Sequence, residues 1–308
     1  MTRSPAVLGA LCVIGASAGF TVNDMAVKYL SEDMALHQVI LFRSLVAVAV
    51  MLAVIMPLTG GLGQIHTNRP FVHLARGVMV LGANMCFFMA LAAMPIAEAT
   101  AIFFVSPMVI AIFSVIFLRE TVGPWRWAAI LIGFVGVLVI IRPGTDAFTP
   151  VSLLPLLAAV FYAALHMMTR ILRVSESAAT LGWYIQLTFL VTSILVGLSI
   201  GDGRFDSGSN ASLSFLTRAW IWPEAEIWPF LLITGLGSAL GGYLISQAYR
   251  LCEAAMVAPL EYIAMPMAIL WGLVVFGEWP GPLSWFGMTL ILGSGLLMIW
   301  RETRAKTR

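Results

Sequence analysis

The sequence predicts an all-α integral membrane protein of ten transmembrane helices, arranged as two inverted five-helix repeats. Three observations carry that expectation. The chain is 60% hydrophobic and 10% charged, with a mean hydropathy of +0.96, whereas a soluble domain carries about 25% charged residues. Uncharged runs recur along its whole length. One stretch of the first half returns in the second.

The runs come first. A spanning helix needs roughly 20 mostly apolar residues. Ser4–Asn23, Ser44–Thr67, Gly77–Ala97, Ala99–Leu118, Ala147–Thr169, Ser177–Gly201, Ile227–Tyr249 and Trp279–Trp300 all qualify. Trp127–Ile141 is shorter, but Gly123, Pro124 and Trp125 extend it past Arg126. Ala254–Gly277 is interrupted once, by Glu261. The second span is expected to begin near His37, which puts Arg43 inside it. A cleaved leader is the competing reading of the first residues, but that run continues into Asn23, Asp24 and Lys28 without a cleavage signal.

Lys and Arg set the orientation. With a cytoplasmic N-terminus, Arg3, Arg69, Arg76, Arg119, Arg126, Arg170, Arg173, Arg250 and the four basic residues after Trp300 fall inside. Lys28, Arg142, Arg204 and Arg218 fall outside. That bias predicts that both termini are cytoplasmic, and it assigns the basic residues to topology rather than to nucleic acid. Cys12, Cys86 and Cys252 lie in or beside apolar runs and read as buried small hydrophobes. The segment from Gly201 to Glu226 is the one long loop: "GDGRFDSGSN" reads as solvated and "WIWPEAEIWP" as an interfacial aromatic belt.

The repeat comes next. "AEATAIFFVSPMVIAIFSVIFLRETVGPWRW" answers to "AAMVAPLEYIAMPMAILWGLVVFGEWPGPLSW". Pro107 matches Pro266, Glu120 matches Glu278, Gly123–Pro124 match Gly281–Pro282, and Trp127 matches Trp285. Asp24 falls more weakly on His166, and Lys28 on Arg170. The boundary lies between residues 146 and 147. Each half holds an odd number of spans, so the second half enters the membrane inverted. Secondary transporters are built this way, around a central site.

These residues resemble the drug/metabolite transporter superfamily. "FLRE", "GPWRW" and "IGFVGV" within Ala97–Gly144 resemble its EamA-type carriers. "GFTVNDMAVKYL" with "HQVILFRSLVA" looks like the subgroup with S-adenosylmethionine and riboflavin uptake carriers. The resemblance implies a carrier in the inner membrane of a bacterium. It leaves cargo and direction open.

Ionisable groups inside a membrane cost about 2.5–3.5 kcal/mol at the centre, so they point to function. Asp24, Arg43 and Glu98 gather in the outer part of the first half as a candidate gate, with Lys28 nearby. Asp24 and Lys28 are one turn apart and can pair; Arg43, which lies deeper, is the competing partner for Asp24. His166, Arg170 and Gln247 form the candidate inner gate. Asn84, Phe103, Gln186, Tyr243, Glu261 and Tyr262 are the candidate cargo contacts. Glu261 stands deep in its span beside Pro259, and Phe103 and Tyr262 align across the repeat. Pro107 and Pro266 are expected to kink their helices. "GLGSALGG" places Gly237 and Gly241 at close-packing spacing, and Gly133 with Gly136 suit the same role.

The expected function is movement of a small organic metabolite, nitrogen-containing and aromatic or cationic, by alternating access. An exporter of amino acids or drugs on the same fold is the alternative. No phosphate-binding loop of the G-x-x-x-x-G-K-[ST] type occurs, and no H-E-x-x-H, so neither ATP hydrolysis, nor a metal, nor a cofactor is expected. An intramembrane enzyme would have to rest on His166 and Glu261. A channel would need a ring of one charge sign, where this chain scatters both. The partners expected are the lipid bilayer, a small-molecule substrate and a proton as candidate coupling ion, with a monomer or a homodimer as the assembly.

Overall fold

The computed structural model describes residues 5–119, 123–172, 176–208, 210–251 and 260–306. Within them every regular element is helical. Seven helices are long and apolar enough to cross a membrane: Val7–Leu30, Leu36–Thr59, Pro70–Leu91, Ile96–Phe117, Pro150–Thr169, Ala178–Ile200 and Trp228–Ala248. Three shorter apolar helices cover Trp127–Ile141, Ala264–Phe276 and Pro282–Leu297. Among the described residues, each uncharged run of the sequence overlaps one of these segments. Helices suit lipid because they pair every backbone N–H and C=O internally.

The elements in order are α1 (Pro5–Leu30), α2 (Leu36–Val50), α3 (Met56–Thr59), α4 (Pro70–Leu91), α5 (Ile96–Phe103), α6 (Ser106–Leu118) and α7 (Pro124–Ile141), followed by α8 (Leu153–Leu172), α9 (Ala178–Ile200), α10 (Ala211–Thr217), α11 (Trp228–Leu251), α12 (Ala264–Phe276) and α13 (Pro282–Lys306). A π-helical turn, Met51–Ile55, joins α2 to α3 in one continuous rod. Proline opens α4, α7 and α13, where the missing N–H goes unneeded. The segment 201–227 is more than a solvated loop, since it folds α10 within it and caps that helix with the Asn210 side chain.

Two spans are interrupted rather than merely kinked. α5 ends at Phe103 and α6 begins at Ser106, with a two-residue turn between them. A second turn at Tyr262–Ile263 precedes α12. Pro107 and Pro266 explain both. Neither can donate to the carbonyl four residues earlier, which belongs to Phe103 and Tyr262 respectively, and each ring crowds that carbonyl.

The most extensive packing pairs are α1 with α11, α7 with α13, α4 with α8, α2 with α9 and with α11, and α6 with α8, while α5 also lies against α12. Small residues let these helices approach. A Cβ on Gly237 of α11 would stand 2.6 Å from the Gly19 carbonyl of α1. Gly136 and Gly287 face each other in the same way between α7 and α13. Gly237→Ala is therefore expected to lower the melting temperature of the detergent-solubilised protein, at an overpacking cost of about 1–3 kcal/mol. Gly242→Ala on the same helix is the control, because nothing lies within 4 Å of its added methyl. Equal melting temperatures for the two variants would refute this packing account.

Candidate functional site

The two interruptions meet at the centre of the bundle. Phe104, at the first, packs against Tyr262, at the second, with ring centroids 5.2 Å apart. Tyr262 is buried and lies against Gly295 of α13, where any side chain would strike its hydroxyl. From Phe103 a line of rings runs both ways. Phe87 stands 5.1 Å from it and Tyr162 stands 5.2 Å from it, and His166 meets Tyr162 edge-on at 4.3 Å. Glu261 lies beside this line and acts electrostatically on both Tyr162 and Tyr262. Phe103 and Tyr262 thus stand at matching breaks, but the ring that touches Tyr262 is Phe104.

A polar group occupies the neighbouring space between α1, α2, α4, α9 and α11. Arg43 is 3% exposed. Its guanidinium lies over Phe189 at 4.6 Å and Phe88 at 5.3 Å, and one nitrogen donates to Asn84 Oδ1 at 3.3 Å. Gln186 donates to Ser238 Oγ at 2.8 Å. Asp24 accepts from the Asn23 amide at 3.0 Å. Asp24 and Arg43 influence each other electrostatically, but among the described residues no ion pair closes between them within 4 Å.

The expected outer cluster is thereby divided. Lys28 does not pair with Asp24. It forms an ion pair with Glu278 at 2.6 Å, donates to the Met94 carbonyl at 2.8 Å and sits over the Phe276 ring. Glu278 also accepts from the Ile96 backbone N–H at 3.2 Å. One acidic residue therefore ties the end of α1 to the start of α5 and the loop between α12 and α13. Lys28 lies nearer that end of the bundle than Asp24, so it meets loop acceptors while Asp24 stays with the interior amides. Glu98 belongs to neither set and accepts from Ser284 of α13 at 2.5 Å.

The segment around α10 covers this same end. Trp220 donates its indole N–H to His37 Nδ1. Gln38 bonds the Ile221 backbone in both directions. Arg218 donates to the carbonyls of Ser31 and Glu32. Trp220 is therefore part of a strap across the helix ends rather than a lipid-facing belt, whereas Trp222 is 82% exposed.

At the opposite end, which carries both termini, Gln247 donates to the Tyr243 hydroxyl at 2.7 Å. Both line a cleft of about 310 Å³ with Thr59, Gln64 and Ser177. His166 lies deeper, within electrostatic reach of Arg76. The side chain of Arg170 lies outside the described residues, as do Pro259 and Cys252.

Arg76 corrects the sequence reading, which assigned it to a loop. It is 3% exposed inside α4. It donates to Thr169 Oγ1 of α8 at 3.1 Å and approaches His73 Nδ1 at 3.5 Å. His73 in turn faces Glu176 at 3.7 Å and stacks on Tyr184. Counting uncharged residues started this span at Gly77. The signal available was Pro70, a helix opener one turn before His73, with Arg76 a further three residues on.

Residues 7–142 match the EamA-like transporter family. The chain is similar to a riboflavin transporter of Rhizobium johnstonii, at 30% identity over 99% of this chain and 95% of the relative. It is also similar to an S-adenosylmethionine uptake transporter of Rickettsia felis, at 26% identity over 94% of this chain and 91% of the relative. A crystal structure of an 18% identical protein superposes with a TM-score of 0.66, covering 96% of this chain and 98% of that one, a likeness of fold.

The Lys28–Glu278 pair yields a direct test. Side-chain exposures of 11% and 27% leave it better shielded than a surface pair. A double-mutant cycle with Lys28→Met and Glu278→Gln is expected to give a coupling of about 1 kcal/mol or more, at the top of the range for exposed pairs or above it. Thermal unfolding in detergent measures it, and additive effects would remove the pair from the forces holding this end together.

Proposed function

The chain belongs to the EamA-like transporter family, and we propose that it is a secondary carrier moving a small nitrogen-containing metabolite, aromatic or cationic, by alternating access. The observation that carries this reading is the pair of interrupted helices meeting at Phe104 and Tyr262. Broken apolar helices are tolerated where they line a cavity between other helices, and transporter sites are typically built at such breaks.

On this reading residues 1–146 and 147–308 are the two inverted repeats. The packing supports that division. α1 against α11 and α8 against α4 are equivalent pairs under an exchange of halves, and α2 against α9 and α7 against α13 are each equivalent to themselves. Phe103, Asn84, Gln186, Glu261 and Tyr262 are the proposed cargo contacts. Tyr243 lies farther out with Gln247, at the cleft, and serves entry or exit. Asp24, Arg43 and Glu98 on one side and His166, Arg170 and Gln247 on the other are the proposed gates. The proposed setting is a bacterial inner membrane with both termini cytoplasmic, and the proposed coupling ion is a proton taken by Glu261.

Counter-flow in proteoliposomes tests the carrier. Labelled riboflavin, S-adenosylmethionine and aromatic amino acids would be offered to wild type and Glu261→Gln. Saturable exchange of one cargo, lost in the variant, is the expected result. Normal exchange by the variant would exclude Glu261 from the transport step.

A further inference from the structure

Three buried polar atoms around Arg43 have no hydrogen-bond partner among the described residues: Arg43 Nε, Asn23 Oδ1 and Gln186 Oε1. Their side chains are 3%, 3% and 4% exposed. The three residues converge on one short stretch of α11. Asn23 packs at Gly237, Gln186 bonds Ser238, and the Arg43 carbonyl lies against Gly235. Phe189, one turn beyond Gln186, holds the Arg43 guanidinium by its ring face.

An unpaired polar group in an apolar interior costs roughly 1–3 kcal/mol on mutational scales, and buried groups in native proteins are nearly always paired. Three at one place in a membrane bundle call for a missing partner. Their chemistry defines it. Arg43 Nε offers a donor. Asn23 Oδ1 offers an acceptor whose identity is fixed, because the other amide atom must donate to the Asp24 carboxylate. Gln186 offers a second amide atom. A complementary ligand presents an acceptor beside N–H donors on one rigid edge. Asp24 lies within electrostatic reach of Arg43 but closes no ion pair with it among the described residues, which leaves the Arg43 edge open to a ligand acceptor. The flanking Phe88 and Phe189 rings suit a flat molecule.

We infer that Asn23, Arg43 and Gln186 bind the carbonyl and N–H edge of a planar nitrogen heterocycle. This rests on the carrier reading and narrows its cargo class. It also moves Arg43 from gate to cargo head, and leaves Glu261 at the other end of the aromatic line as the group that handles charge.

The test is a binding measurement independent of transport. Fluorescence titration of the purified full-length protein in detergent would compare lumichrome, a neutral ring with a carbonyl and N–H edge, with 1,3-dimethyllumichrome, whose N–H donors are blocked. Wild type is expected to bind lumichrome about 10- to 100-fold more tightly, the factor for leaving a buried partner unpaired. Gln186→Met, close in volume, is expected to shrink that ratio toward one, and so is Asn23→Leu. Failure of wild type to bind lumichrome, equal binding of the two compounds, or a ratio unchanged in both variants would each overturn the inference. Lumichrome binding without counter-flow of any cargo would instead defeat the carrier reading and leave the site standing. Counter-flow of a cargo that lumichrome does not displace would defeat the site and leave the carrier.

Discussion

Lipid cannot hydrogen-bond a backbone, and that constraint governs this molecule. Two spans break it locally, at residues 104–105 and 262–263, because a proline removes a donor from each. Such breaks persist only when turned away from lipid, and here they face each other across the Phe104–Tyr262 contact. The remaining packing is shaped by that requirement. α5 and α12 must lie against each other, so the other helices surround them, and glycine permits the close approaches at Gly19–Gly237 and Gly136–Gly287.

Charge is placed by the same logic. A cation near a helix end reaches loop carbonyls and carboxylates, as Lys28 reaches Met94 and Glu278. A cation at depth has only what neighbouring helices bring to it. Arg43 therefore lies between two phenyl faces with a single side-chain hydrogen bond among the described residues, to Asn84. Arg76 is served better, by Thr169, His73 and the nearby Glu176. The contrast between two equally buried arginines is what singles out the Arg43 neighbourhood.

Much of this architecture is legible in the sequence. Run length alone locates the apolar helices, since spanning a bilayer is a one-dimensional requirement. The prolines announce both interruptions. Side-chain partners are a different matter. Lys28 and Asp24 have the spacing of a helix pair, yet Glu278, some 250 residues away in the chain, takes the lysine. Arg76 reads as a loop cation because an uncharged-run count cannot see that Thr169 and Glu176 will surround it. The strap formed by Trp220 and Gln38 was equally hidden, because an indole beside a membrane has two plausible surroundings, lipid or a neighbouring helix end. Distances between helices decide such questions, and composition does not contain them.

Bonds between the two halves hold both ends of the bundle, which bears on how a carrier of this shape would move. At the α10 end, a 2.6 Å ion pair, a backbone bond to the same carboxylate and the Trp220–Gln38 strap join elements from both halves of the chain. At the other end, Thr67 donates to Glu176 at 2.6 Å, Ser177 to Gln64 at 2.7 Å and Tyr184 to the Ile65 carbonyl at 2.9 Å, again between the halves, beside the cleft of about 310 Å³. Charge-assisted hydrogen bonds contribute about 1.5–3 kcal/mol each when well formed, and they weaken as geometry lengthens. Opening either end therefore breaks short hydrogen bonds between the two halves. A ligand can shift such an equilibrium only by its differential affinity for the two states. A cargo seated at Asn23 and Arg43 would touch α1 in the turns just before Lys28, and is placed to supply that difference at the α10 end.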